Sequence, residues 1–93
     1  MTKADTISRI VEKTGIQKEE VEKVLEAFFA TVKSSLSEGE NIHFRGFGSF
    51  VIKQRAEKTA RDISRKSTII IPAHKIPFFN PSNDFINQVK GSL

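Results

Sequence analysis

The chain has 93 residues, a net charge of +4 and no cysteine, which makes it one small domain and excludes disulfides and thiolate metal sites. A chain this short buries only a marginal core by itself, so pairing with another subunit is the first structural expectation. No apolar run approaches the roughly 20 residues that span a membrane, and Met1-Thr2-Lys3-Ala4-Asp5 lacks the apolar stretch of a secretory signal; the expectation is a soluble, cytoplasmic protein with no membrane partner.

The charge is distributed unevenly. Residues 1–42 hold six Lys/Arg and eight Asp/Glu, residues 43–75 hold eight and two, and residues 76–93 hold one of each. All the excess positive charge therefore lies in the middle of the chain. That asymmetry points to an anionic partner, nucleic acid being the commonest for a basic intracellular domain; a solvated, lysine-rich surface is the plain alternative.

Taken in order, the chain starts with a short helix. Thr2 caps it, Asp5 falls in the first turn where a carboxylate favours the helix dipole, and Ala4, Ile7, Ile10, Val11 and Thr14 recur at helical spacing. Gly15 ends it as a left-handed stop. A longer helix follows from about Lys18 to Ser37, weakly capped by Gln17, with Val21, Val24, Leu25, Phe28, Phe29, Val32 and Leu36 forming one wide apolar stripe. Two adjacent phenylalanines make that stripe wider than one short helix and a small sheet cover. An ordinary intramolecular core and a helix-mediated dimer both account for it.

Ser37-Glu38-Gly39-Glu40 reads as a turn, and strands begin at Asn41. Ile42 and Phe44 alternate with His43 and Arg45; Gly46-Phe47-Gly48 then makes a tight reversal in which two glycines can take positive φ and let the backbone approach another surface. A second strand runs outward from Ser49, and Lys53, Arg55 and Arg61 share one strand face at period 2. From Gln54 to Ser67 the only large apolar residue is Ile63. A strand pair there has nothing to bury, so it projects into solvent as a basic ribbon. The return strand runs from about Arg65 to Ile76, with Thr68-Ile69-Ile70-Ile71 marking where the ribbon rejoins the body and Pro72 implying an edge or a bulge. Asn80-Pro81-Ser82-Asn83 starts a final helix whose buried face is Phe85, Ile86 and Val89 and whose stop is Gly91.

This order of elements, with Gly46-Phe47-Gly48-Ser49-Phe50, the basic ribbon and Ile71-Pro72-Ala73-His74-Lys75-Ile76-Pro77-Phe78-Phe79, resembles the HU and integration host factor family of bacterial histone-like DNA-bending proteins over residues 2–90. The resemblance implies an α+β fold forming an intertwined dimer: a two-helix base, a three-stranded antiparallel sheet as a saddle, an extended basic β-ribbon arm and a short C-terminal helix. It implies a single DNA-bending domain over 1–93, with a helical dimerisation base at 1–40, sheet and arm at 41–79 (arm about 54–70) and the last helix at 80–93. The expected partners are double-stranded DNA, held through its minor groove with low sequence specificity, and a second identical subunit. Leu25, Phe28, Phe29, Val32, Phe44, Phe47, Phe50 and Phe79 are the candidate dimer interface. The protein is expected in the cytoplasm, associated with the nucleoid.

A minor groove presents phosphates on its walls and a degenerate base pattern on its floor, so binding there depends on cations and bending energy. The candidate contacts are Arg45, Lys53, Arg55, Lys58, Arg61, Arg65, Lys66, His74 and Lys75, with backbone N–H groups of Gly46 and Gly48 and of the last helix start at Ser82 and Asn83. At the arm tip the family usually carries arginine, then asparagine or lysine, then a proline that wedges between base pairs; here stand Arg61, Asp62 and Ile63. Ile63 is the candidate intercalating residue, because apolar side chains serve as wedges in minor-groove benders; an exposed isoleucine with no role is the competing reading. Asp62 brings a negative charge towards phosphates, Ala60 replaces the family's glycine, Arg65-Lys66 replaces its threonine-glycine turn, and Asn83 replaces a lysine.

An enzyme is not expected. His43 and His74 are far apart in sequence and lack cysteine companions, and the sequence has no glycine-rich phosphate loop or paired carboxylates, so no metal, cofactor or small-molecule substrate is expected. Two alternatives to general duplex bending stay open: a divergent member that recognises particular DNA structures or RNA, and a protein that turns its basic arms on an acidic protein partner.

Overall fold

The computed structural model describes residues 1–62 and 67–91. The elements are α1 (Lys3–Thr14), α2 (Lys18–Ser37), β1 (Ile42–Phe44), β2 (Gly48–Arg55), β3 (Lys58–Asp62), β4 (Ser67–Ile71), β5 (His74–Pro81) and α3 (Asn83–Gly91). The chain divides into two compact units, Met1–Ser34 and Ser35–Leu93.

In the first unit, α1 opens on a capping box: the Asp5 N–H donates to Thr2 Oγ1 at 3.2 Å and the Thr2 N–H donates back to Asp5 Oδ2 at 3.0 Å. Two of the four orphan donors of the first turn are thereby satisfied. Gly15 closes the helix at φ 73°, its N–H bonded to the Val11 carbonyl at 2.9 Å. Gln17 stands before α2 with its carbonyl accepting the amides of Glu20 and Val21. Lys3 Nζ meets Glu26 Oε1 at 2.8 Å, and that hydrogen bond raises the ammonium above the usual lysine range; both groups are solvent-exposed, so water screens the pair.

Ile7 and Val21 are the buried apolar side chains among the described residues. The intramolecular reading of the long stripe therefore holds only in part. Leu25, Phe28 and Val32 are half-buried, while Val24 is 69% and Phe29 41% exposed. An apolar groove of about 430 Å³ runs along this face, lined by Ile10, Ile16, Glu20, Val21, Val24, Leu25 and Phe28.

In the second unit the sheet has the order β1-β2-β5, antiparallel throughout. The β1–β2 loop is closed by the Phe47 N–H on the Phe44 carbonyl at 3.1 Å, with Gly46 at φ 81°. Strand β5 continues to Pro81, past the Ile76 end expected from sequence, and α3 begins at Asn83 rather than at Asn80. The reason is the pairing of β2: its antiparallel register carries Gly48 opposite Pro81. Pro77 and Pro81 are tolerated because β5 is the edge of this sheet, where alternate residues have no ladder bond to donate.

The apolar cluster of the unit is aromatic and only part-buried, with Phe50, Phe79 and Phe85 half-buried and Phe47 46% exposed. Phe50 and Phe79 are register partners with ring centroids 4.9 Å apart, Phe47 lies 5.1 Å from Phe79, and Phe85 of α3 stacks on Phe47 at 5.4 Å and 16°. Ser82 ties this corner together. Its N–H donates to the Phe47 carbonyl at 2.9 Å, and its Oγ accepts the Phe85 N–H at 3.2 Å as the cap of α3. Phe85 is half-buried, but Ile86 and Val89, expected on the buried face, are exposed, and Gly91 is the last residue of the helix.

Strands β3 and β4 form a separate two-stranded ribbon, pairing Lys58 with Ile71 through Asp62 with Ser67. Arg55 opposes His74 and Lys58 opposes Ile71, so two residues intervene on each side, Ala56-Glu57 and Pro72-Ala73. The interruption at Pro72 is thus a break with no inserted residue, not a bulge. The register passes through it unchanged. Lys53 and Arg55 accordingly lie on β2 and Arg61 on β3, not on one continuous strand. The isoleucine run does not rejoin the body: it is the return strand of the ribbon, with Ile69 and Ile70 exposed.

Candidate nucleic-acid interface

Period-2 alternation gives the three-stranded sheet two faces of different chemistry. One carries Phe44, Phe50 and Phe79, the aromatic cluster. The other carries His43, Ser49, Val51, Lys53 and Arg55, with their register partners Asn80, Phe78, Ile76 and His74. The basic side chains of β2 therefore stand on the face turned away from the core.

Hydrogen bonds order this outer face. His43 Nδ1 and Ser49 Oγ, on paired residues, are 2.8 Å apart. His74 Nδ1 lies 2.9 Å from the Pro72 carbonyl oxygen; a carbonyl only accepts, so Nδ1 carries a proton in this contact. Arg55 is the cross-strand partner of His74. Lys53 holds its Nζ 4.2 Å from the centroid of the Phe78 ring.

The other expected contacts fall in different places. Arg45 and Gly46 are exposed in the β1–β2 loop, where a Cβ on Gly46 meets nothing within 4 Å. Gly48 is buried between Phe44 and Pro81, so its backbone serves the sheet. Lys75 pairs with Gln54 and so belongs to the face opposite Lys53 and Arg55. Lys58 is exposed at the base of the ribbon, and the backbone of Arg61 lies opposite Thr68. The Ser82 N–H is taken by Phe47, while Asn83 is exposed in the first turn of α3 beside Asp84. Ile63, Arg65 and Lys66 lie outside the described residues.

Sequence reading passed over Phe78. Its signal was the Phe78-Phe79 doublet, since in a strand only one of two neighbours can join the core and the other must face outward. Among the described residues no three His, Cys, Asp or Glu side chains converge as a metal site, and no helix is long and apolar enough to cross a membrane.

Comparison with known proteins agrees with this architecture. The family model described as bacterial DNA-binding protein matches residues 1–90. Integration host factor subunit alpha from Anaeromyxobacter sp. (strain K) is 34% identical over 93 residues, covering 100% of this chain and 82% of that protein. DNA-binding protein HU from Thermotoga maritima is 32% identical over 90 residues, covering 97% of this chain and 100% of that protein. Among solved structures, an HU–DNA cocrystal structure from Anabaena superposes with a TM-score of 0.90 at 28% identity, over 96% of this chain and 97% of that one. The HU structure from Thermotoga maritima gives 0.67 at 25% identity, over 96% and 98%. The chain belongs to the bacterial DNA-binding protein family of HU and integration host factor, histone-like architectural proteins that are not enzymes.

Proposed function

We propose that the chain performs this architectural role as a homodimer that grips duplex DNA between two basic ribbons and bends it through the minor groove. The observation that carries the reading is the ribbon itself. Strands β3 and β4 continue the register of β2 and β5 beyond the body without a core of their own, and Lys58 and Arg61 lie along them. The cations assigned to phosphates are Arg45, Lys53, Arg55, Lys58, Arg61, Arg65, Lys66 and Lys75, with His74, the Gly46 amide and the Asn83 amide at the flanks; Gly48 and Ser82 support the geometry from inside. Ile63 is assigned the wedge. Each phosphate neutralised releases condensed counterions, which gives affinity without sequence readout.

The dimer is supported by what one chain leaves uncovered. Val24 and Phe29 of α2 and Ile86 and Val89 of α3 are exposed apolar side chains, the kind of uncovered surface that marks an interaction site when it is contiguous. In this reading residues 1–40 form the dimerisation base, 41–79 the sheet and arm, and 80–93 the closing helix. Leu25, Phe28, Phe29, Val32, Phe44, Phe47, Phe50 and Phe79 contribute to the subunit interface. A cytoplasmic, nucleoid-associated location follows from the same role.

The test is a titration into random-sequence duplex of about 30 base pairs at 50 and 200 mM salt, with a nicked duplex of equal length alongside. With roughly six to ten phosphates engaged, affinity falls about 10³- to 10⁵-fold between the two salts and is tighter on the nicked duplex. Absence of binding to either duplex at low salt overturns the proposal and directs the arms to an acidic protein partner.

A further inference from the structure

An aromatic ring on the outward face of a sheet is by itself ordinary, since much of any protein surface is apolar. The position of Phe78 is more particular. It is the register partner of Val51, two register positions from the Lys53–Ile76 pair and therefore on the same sheet face, and it is 40% exposed. Its ring face receives the Lys53 ammonium at 4.2 Å from the centroid. A lysine has four rotatable bonds and loses considerable rotamer freedom when it is held against a phosphate. A ring quadrupole beneath the ammonium removes part of that freedom before any ligand arrives, while leaving the N–H donors on the far side accessible to an anion.

We infer that Phe78 is a positioning residue for DNA binding: it stations Lys53 on the outward sheet face so that the ammonium meets a backbone phosphate already oriented. The inference rests on the proposed role of Lys53 as a phosphate contact. Phe78 acts through Lys53 and does not read bases. It also accounts for a phenylalanine on the face that carries His43, Arg55 and His74, opposite the aromatic cluster.

The experiment compares the full chain with Phe78→Leu, Phe78→Tyr, Lys53→Gln and the Phe78→Leu/Lys53→Gln double variant, using a random duplex of about 30 base pairs across a salt series. Proton NMR of the Lys53 ε-methylene in the free protein reports whether the ring lies under it. Lys53→Gln is expected to lower both the affinity and the salt slope. Phe78→Leu is expected to lower affinity about three- to tenfold, to abolish the upfield ring-current shift of the Lys53 ε protons, and to leave the melting temperature close to that of the unchanged chain. Phe78→Tyr keeps both affinity and shift, and the double variant binds no more weakly than Lys53→Gln alone.

A Phe78→Leu loss that adds in full to that of Lys53→Gln overturns the inference, because Phe78 then touches DNA or holds the sheet independently. Full affinity in Phe78→Leu, or no ring-current shift in the unchanged chain, overturns it as well. If Lys53→Gln binds with unaltered affinity and salt slope while the chain still binds DNA, the assignment of Lys53 itself fails. Loss of duplex binding in every form, the unchanged chain included, marks the failure of the DNA-binding reading.

Discussion

A Cβ on Gly48 would stand 2.7 Å from the carbonyl oxygen of Asn80, and 2.6 Å from Cζ of Phe79. Gly48 lies where β2 is covered on both sides, opposite Phe44 of β1 and Pro81 of β5. The carbonyl belongs to the backbone and cannot retreat without moving a strand, and the ring is held among those of Phe47, Phe50 and Phe85. Gly48→Ala is expected to destabilise the folded protein by about 1–3 kcal/mol through overpacking, read as a lower denaturation midpoint at fixed protein concentration. An unchanged midpoint would show that β5 yields more easily than the contact distances indicate.

Gly15 is a contrasting case. Its φ of 73° is left-handed, yet a Cβ there meets nothing within 4 Å, so only the backbone conformation resists substitution. Gly15→Ala is expected to cost about 1–2 kcal/mol, and Gly15→Asn less, because asparagine visits that region more readily. Thermal melts of the two variants should fall in that order, with DNA affinity unaltered at temperatures where both are folded.

The start of α1 depends on Thr2. Thr2→Ala removes the oxygen that accepts the Asp5 N–H and is expected to cost about 0.5–2 kcal/mol. Thr2→Ser retains the oxygen and should restore most of the loss. Equal melting of the alanine and serine variants would mean that the capping box contributes nothing to global stability.

Val24 offers a test of the dimer that does not involve DNA. A side chain so exposed in one chain would tolerate Glu within about 0.5 kcal/mol if it stayed exposed. In the proposed dimer a buried carboxylate replaces an apolar contact, so Val24→Glu should shift sedimentation towards the monomer and make the melting temperature depend more steeply on concentration. A dimer of undiminished strength would move the interface away from this face of α2.

Arm charge can be counted from salt dependence. Lys58→Gln removes one exposed cation per chain, hence two per homodimer, and should reduce the slope of log affinity against log salt by about 1.8. Glu57→Gln, one residue away, should not reduce it. A slope unaffected by Lys58→Gln would place the base of the ribbon clear of the phosphate backbone.

Local chemistry made most elements legible in the sequence. Thr2 and Asp5 announced the start of α1, Gly15 its end, and the apolar spacing the course of α2. The lack of apolar residues after Gln54 announced a ribbon without a core. Boundaries that depend on a distant partner were misplaced for the same kind of reason. The end of β5 is set by how far β2 runs back to Gly48, and the start of α3 by the bond from Ser82 to Phe47, contacts that join residues more than thirty positions apart in the chain.

The sequence by itself determined the class of the protein: a small α+β chain, basic in its middle, with a glycine-phenylalanine turn followed by a projecting ribbon, because propensity, capping and charge act over a few residues. Only the tertiary structure decided which face each charge occupies. Cross-strand register sorted Lys53 and Arg55 to the outer face and Lys75 to the other, and it carried the ribbon through Pro72 without a slip. It also brought Phe78 beneath Lys53, a pairing across two strands that local propensity does not specify.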